Sequence, residues 1–166
     1  MASVHIPRHV DIDFMFNIST GVGRGRANNR LDVMLIQYLL NQATDETVAA
    51  PITTKKFIRP PELSDPLKQD GICGEKTQRF IDFYQQFRNS HEDFSDANRM
   101  AFKFTVKADG AIDPWQFPIP MNVYYGVLTR SDTLVALNYD AAKSQEVSTQ
   151  VFSTMHPDLQ RILCAR

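Results

Sequence analysis

The chain has 166 residues, 43% of them hydrophobic and 22% charged, a balance that suits one folded globular unit and excludes a disordered or fibrous chain. Its formal charge of −1 shows no global excess of lysine and arginine, so no nucleic-acid partner is expected. No run of about 18 apolar residues occurs, and the opening residues lack the apolar stretch of a secretory signal; neither membrane insertion nor a signal peptide is expected.

The first predicted element is a strand over 10–18, where Val10, Ile12, Phe14, Phe16 and Ile18 alternate with Asp11, Asp13, Met15 and Asn17. Asp11 and Asp13 share its polar face. Paired carboxylates suit glycan hydrolysis, but a solvated strand face accounts for them more simply. Next, "TGVGRGRANN" is a glycine-rich loop. Its spacing fails the dinucleotide fingerprint, because the third glycine position holds Arg26 or Asn28 depending on the starting glycine. Arg24, Arg26 and Arg30, near a helix start, are the residue types that hold a carboxylate or phosphate.

Residues 30–42, "RLDVMLIQYLLNQ", are apolar nearly all round and predict an enclosed central helix. From Ala43 to Lys68 no period is sustained; this is a long excursion in which "TTKKFI" is a candidate short strand. A second helix follows over "GEKTQRFIDFYQQFRN", with Thr77, Phe80, Ile81, Tyr84 and Phe87 on one stripe and Glu75 near the positive N-terminal end. "AFKFTVKADGAI" predicts a strand running into an Asp-Gly turn. "NVYYGVLTRSDTLVALNYD" suits a strand or short helix, and "MHPDLQRILCAR" a terminal helix begun near His156-Pro157.

Few side chains read as chemistry. Cys73 and Cys164 form no CxxC motif and are expected to be small buried thiols. His5, His9, His91 and His156 show no metal-ligand spacing, so no metal and no cofactor are expected. Trp115, the only tryptophan, is expected to plug the core rather than stack on a sugar. The most specific local pattern is Asp70-Gly71, a second glycine at 74 and Thr77. Glycine accepts positive φ, the Asp70 carboxylate can take an amide two residues on, and the Thr77 hydroxyl can reach back into the same turn. That spacing builds a turn-helix corner without a nucleophile or base. Asp109-Gly110 echoes it, which suggests a pseudo-repeat.

Three blocks carry a family resemblance: Val33-x-x-Ile36-Gln37-x-x-Leu40, then Asp70-Gly71-Ile72-x-Gly74-x-x-Thr77-x-x-Phe80-Ile81-x-x-Tyr84-Gln85, then Asp109-Gly110-x-Ile112-x-Pro114. Together they resemble the peptidoglycan-binding domain found beside the catalytic units of bacterial wall hydrolases, over about 29–42 and 68–114. The family has glycine where Asp113 stands and a threonine after its second turn, so the second half is expected to be remodelled.

The resemblance implies a single domain, 1–166, of mainly helical α+β class. Within it, 29–114 would hold a three-helix peptidoglycan-binding-like core, decorated with a few short strands and carrying 43–68 as an inserted loop. It implies noncatalytic binding of bacterial peptidoglycan, through the stem peptide or an amino sugar, in a groove beside the Asp70–Thr77 turn. Gln37, Gly71, Ile72, Cys73 and Gly74 would be the contacts; Asp70, Thr77, Tyr84, Asp109 and Gly110 would build the motif. Because no signal peptide is expected, a chain that meets the wall is expected to be made in the bacterial cytoplasm and delivered to the periplasm by a specialised route. The alternative is a protein–protein adaptor, an accessory of a secretion or phage-like apparatus that reuses the fold and grips its partner with 43–68 or the N-terminal strand.

Overall fold

The computed structural model describes residues 2–5, 15–44, 59–90, 93–95, 100–102, 106–115, 133–143 and 154–163. Over these residues the chain is a helix-dominated α+β fold. Its centre is α1 (Arg30–Ala43), buried without interruption from Asp32 to Leu40. A helix apolar nearly all round has no wide face for water, and α1 packs against α2 (Glu75–Ser90), α3 (Thr133–Lys143) and α4 (Pro157–Leu163). Asp32, enclosed near its start, is fully partnered: it accepts the Ser19 and Thr20 backbone amides at 3.1 and 3.0 Å and their hydroxyls at 2.7 and 2.9 Å. Those bonds tie the preceding loop to the helix.

The expected stripe of α2, Thr77, Phe80, Ile81, Tyr84 and Phe87, is buried, and Gln85 and Arg88 are buried with it. Arg88 answers a charge from α3. Asp140 accepts the Arg88 Nε and the Tyr84 hydroxyl, each at 2.6 Å, and pairs through its other oxygen with Arg88 Nη2. α4 starts with Pro157 at its first helical position, where a missing N–H costs nothing, and His156 Nδ1 accepts the Asp158 amide at 3.2 Å.

The described strands form three antiparallel pairs: β1 (Ser3–His5) with β2 (Met15–Asn17), β3 (Val22–Gly23) with β6 (Ala111–Ile112), and β4 (Asp93–Ser95) with β5 (Met100–Phe102). The predicted strand over 10–18 ends in β2; residues 10–14, with Asp11 and Asp13, lie outside the described residues. Its alternation does not hold at the end described, because Met15 and Phe16 are both buried. α3 binds the edge of this strand: its Asn138 side chain accepts the Phe16 amide at 2.7 Å and donates to its carbonyl at 2.9 Å.

Trp115 is the expected plug: it is buried, and its indole N–H donates to the Phe16 carbonyl at 3.0 Å. Of the strand expected over 101–106, residues 101–102 lie in β5 and 103–105 lie outside the described residues; the partner of the second Asp-Gly turn is β3, inside the glycine loop. Thr133–Lys143 is helical, whereas "TTKKFI" and 122–132 lie outside the described residues.

Candidate functional site: two glutamine-gripped turns

The first Asp-Gly corner is built around Gln37 of α1. Its Oε1 accepts the Gly71 amide at 3.0 Å, while Nε2 lies 3.0 Å from Asp70 Oδ1, 3.1 Å from the Ile72 carbonyl and 3.2 Å from Thr77 Oγ1. Asp70 Oδ1 also accepts the Ile72 amide at 2.9 Å, and the Thr77 hydroxyl donates to the Ile72 carbonyl at 3.3 Å. Gly71 has a φ of 76°, and a Cβ there would meet Arg30 and Met34 of α1. Only glycine fits both the conformation and the space. One turn of helix further on, Asn41 grips the same segment, accepting the Leu67 amide and donating to its carbonyl, both at 2.8 Å.

The second corner repeats this arrangement from α2. Gln85 Oε1 accepts the Gly110 amide at 2.9 Å and Nε2 donates to the Ala111 carbonyl at 2.8 Å; Asp109 Oδ1 accepts the Ala111 amide at 3.0 Å. Asn89 holds Val106 as Asn41 holds Leu67, through bonds of 2.9 and 3.0 Å. Gly110 has a φ of 73°, and Gln78 and Asp82 flank it as Arg30 and Met34 flank Gly71. The second half is therefore not remodelled at its turn. Its threonine is Thr133, the first residue of α3, whose hydroxyl lies 3.4 Å from Gln85 Nε2 as Thr77's lies near Gln37. α3 has Ala141 where the two earlier helices carry glutamine.

The corners differ in what covers them. Over the second lies the glycine loop: Gly23 pairs with Ala111, the Arg24 amide donates to the Gly110 carbonyl at 2.9 Å, Arg24 pairs with Asp82 at 3.0 Å, and Arg26 makes a two-bond fork to Asp113 at 2.6 and 2.8 Å. Arg26 also stands 3.6 Å from Asp109. Beside the first corner lies an open recess of about 370 Å3, walled by Arg30, Lys68, Gln69, Asp70, Thr154, Met155 and His156. Gln69 spans it as another amide clamp, accepting the His156 amide at 2.9 Å and donating to the Thr154 carbonyl at 3.3 Å.

These positions sort the expected contacts. Gln37 is 2% exposed and its amide is consumed inside the corner, so it builds the site and does not touch a ligand. Gly71 is closed on its α1 side. Cys73 is half-buried against the core; Ile72 is 66% exposed and Gly74 faces open space. Arg30, Lys68, Gln69 and His156, none singled out as contacts of this corner from sequence, line the recess instead.

The electrostatics follow from the same bonds. Burial pushes the Asp70 carboxyl up, but the Ile72 amide, Gln37 and Lys68 outweigh it and hold the group below its ordinary value. Asp109 is likewise held low, against burial, by Lys107, the Ala111 amide and Arg26. Burial pushes the Cys73 thiol up, with the Gly23 amide opposing, which keeps it an unreactive thiol at neutral pH. The three arginines that sequence marked for an anion each meet a carboxylate: Arg24 Asp82, Arg26 Asp113, and Arg30 Asp158 at 3.1 Å. Arg24 and Arg26 serve the second corner; Arg30 alone reaches the recess.

His9, His91 and Cys164 lie outside the described residues, and among those described no group of His, Cys, Asp and Glu is placed to hold a metal ion. No described helix is long and apolar enough to cross a membrane. No family model matches the chain, nor does any curated protein or solved structure.

Proposed function

We propose that this chain is a noncatalytic binding module for bacterial peptidoglycan, a divergent relative of the domain its motifs resemble, with α1, α2 and α3 as the three-helix core. The observation that carries the reading is the open recess beside Asp70, on the corner where the resemblance is strongest. Its size suits a small polar ligand. The stem peptide of the wall is short, extended and rich in carboxylates, and Lys68, without an ion-pair partner among the described residues, offers it a positive charge beside the Arg30–Asp158 pair. Ile72, on the outer side of the turn, offers an apolar edge for a methyl-bearing residue.

A binding role is favoured over chemistry because the groups around the recess include no activated nucleophile: the carboxylate of Asp70 is engaged by the turn, and Cys73 is a protonated thiol. The wall lies outside the cytoplasm, so the reading implies delivery across the inner membrane. The direct test is co-sedimentation with purified sacculi at low salt; the chain is expected in the pellet, and a chain left in the supernatant contradicts the proposal.

The alternative reading is a protein–protein adaptor that reuses the fold. It predicts a stoichiometric protein partner co-eluting on gel filtration from the native host, with no affinity for sacculi.

A further inference from the structure

We propose that His156 is a pH switch on the recess beside the first corner: once protonated, its ring competes with Arg30 for the Asp158 carboxylate, and the recess gains positive charge. The inference concerns regulation of the site proposed above and rests on that reading for its ligand, while the switch itself is built from contacts inside the chain.

Three side chains form the device. His156 stands before Pro157, and its ring caps α4: Nδ1 accepts the Asp158 amide at 3.2 Å and lies 3.8 Å from Asp158 Oδ2. Only a ring nitrogen with a lone pair can accept an amide, so this is the neutral ring with its proton on Nε2. In that state Asp158 Oδ2 belongs to Arg30, whose Nη1 donates to it at 3.1 Å, and Oδ1 stands 3.5 Å from Arg161.

Protonation reverses the part played by Nδ1. An imidazolium donates from both nitrogens, so the Asp158 amide loses its acceptor and the new N–H has Asp158 Oδ2 beside it. A carboxylate oxygen shared between two cations holds each less firmly, and Arg30, which walls the recess, is loosened. The chain of His156 need not move meanwhile. Gln69 accepts its amide at 2.9 Å, and its carbonyl accepts the Leu159 and Gln160 amides at 2.9 and 3.1 Å.

The sign follows from the surrounding charges. Among the described residues, those facing His156 are Arg30 from α1, Lys68 and Asp70 from the turn, and Asp158 and Arg161 from its own helix. Histidine titrates between about pH 5 and 8. Asp158 is held below its ordinary value by Arg30, and Asp70, against burial, by the Ile72 amide and Gln37, so both carboxylates stay ionised through that window. Acidification across it adds one positive charge to the recess and removes none. An anionic ligand there should bind more tightly as pH falls.

The test is NMR of the full chain from pH 8 to pH 5.5, reading the His156 ring, the Asp158 amide and the Arg30 guanidinium, with soluble muropeptides titrated at both ends. Carboxylates of the probe keep their charge in that interval. The Asp158 and Arg30 signals are expected to move with the midpoint of the ring, and muropeptides to bind about fivefold more tightly at pH 5.5. His156→Asn keeps an acceptor for the Asp158 amide and cannot titrate, so its affinity should be the same at both pH values. A ring that titrates without moving Arg30, binding that does not strengthen at pH 5.5, or an equal gain in His156→Asn overturns the proposal. Coupling of the ring to Arg30 in a chain that binds no muropeptide at either pH supports the switch and overturns the wall-binding reading.

Discussion

At the scale of single residues, two glutamines decide whether the corners exist. Each is enclosed, and each converts an amide and a carbonyl of a turn, otherwise stranded away from water, into satisfied groups. Replacing Gln85 with leucine keeps the apolar bulk and orphans the Gly110 amide and Ala111 carbonyl. The expected loss is about 1–3 kcal/mol, read from urea denaturation; an unchanged midpoint would mean that the clamp adds nothing.

The aspartates of the turns add a pH dependence whose sign is fixed. Asp70 and Asp109 are held below their ordinary values in the folded chain, so each binds fewer protons folded than unfolded, and the stability they contribute is present at neutral pH. It is lost as pH falls below the ordinary carboxylate range, about 4, and through their folded values. Asp109→Asn should flatten that acid limb of the stability curve measured by denaturant midpoints from pH 7 to pH 3. Sequence alone exposed this level only in part. The bonds from Asp70 to Ile72 and from Thr77 back to the turn are local and follow from spacing, whereas the burial of Gln37 depends on a helix more than thirty residues upstream of the turn it holds.

At the scale of elements, the two corners are one unit used twice: a helix bearing glutamine and, four residues on, asparagine, followed by a segment in which Leu or Val stands three residues before Asp-Gly. Gln37 and Asn41 hold Leu67 to Ile72; Gln85 and Asn89 hold Val106 to Ala111. That spacing is written in the sequence, yet hydrophobic periodicity passes over it because it assigns glutamine and asparagine to the outside. Thr133 was hidden for a different reason. Residues between the second turn and α3 push it far from the place its partner Thr77 occupies, so proximity in sequence gave no signal.

The strands were the least legible elements. Pairs as short as β3 and β6 carry too few residues for a period of two, and in β2 the neighbours Met15 and Phe16 are both buried, which no alternating pattern encodes. The helix pair α2–α3 is fixed by the buried Arg88–Asp140 contact with Tyr84. Asp140→Asn removes the carboxylate that takes the Nε and Nη2 of the buried Arg88, and should cost about 3–5 kcal/mol; thermal unfolding of the variant measures it, and a shift of under a degree would contradict the assignment.

At the scale of the molecule, the account turns on an asymmetry. A repeated scaffold presents two similar corners, and the chain covers one with its own basic loop while beside the other it leaves a polar recess. A helix-dominated fold and its central helix were plain from composition and pattern, because an all-apolar segment of that length has nowhere else to go. Which corner is open was not, since it depends on where a loop near the N-terminus and a segment near the C-terminus come to rest.

The most direct test of that asymmetry is amide NMR of the full chain titrated with soluble muropeptides released from sacculi. The account predicts perturbations gathered on Lys68, Gln69, Gly71, Ile72 and His156, with Gly110 and Ala111 unmoved. Shifts of equal size at both corners, or at the second alone, would contradict it.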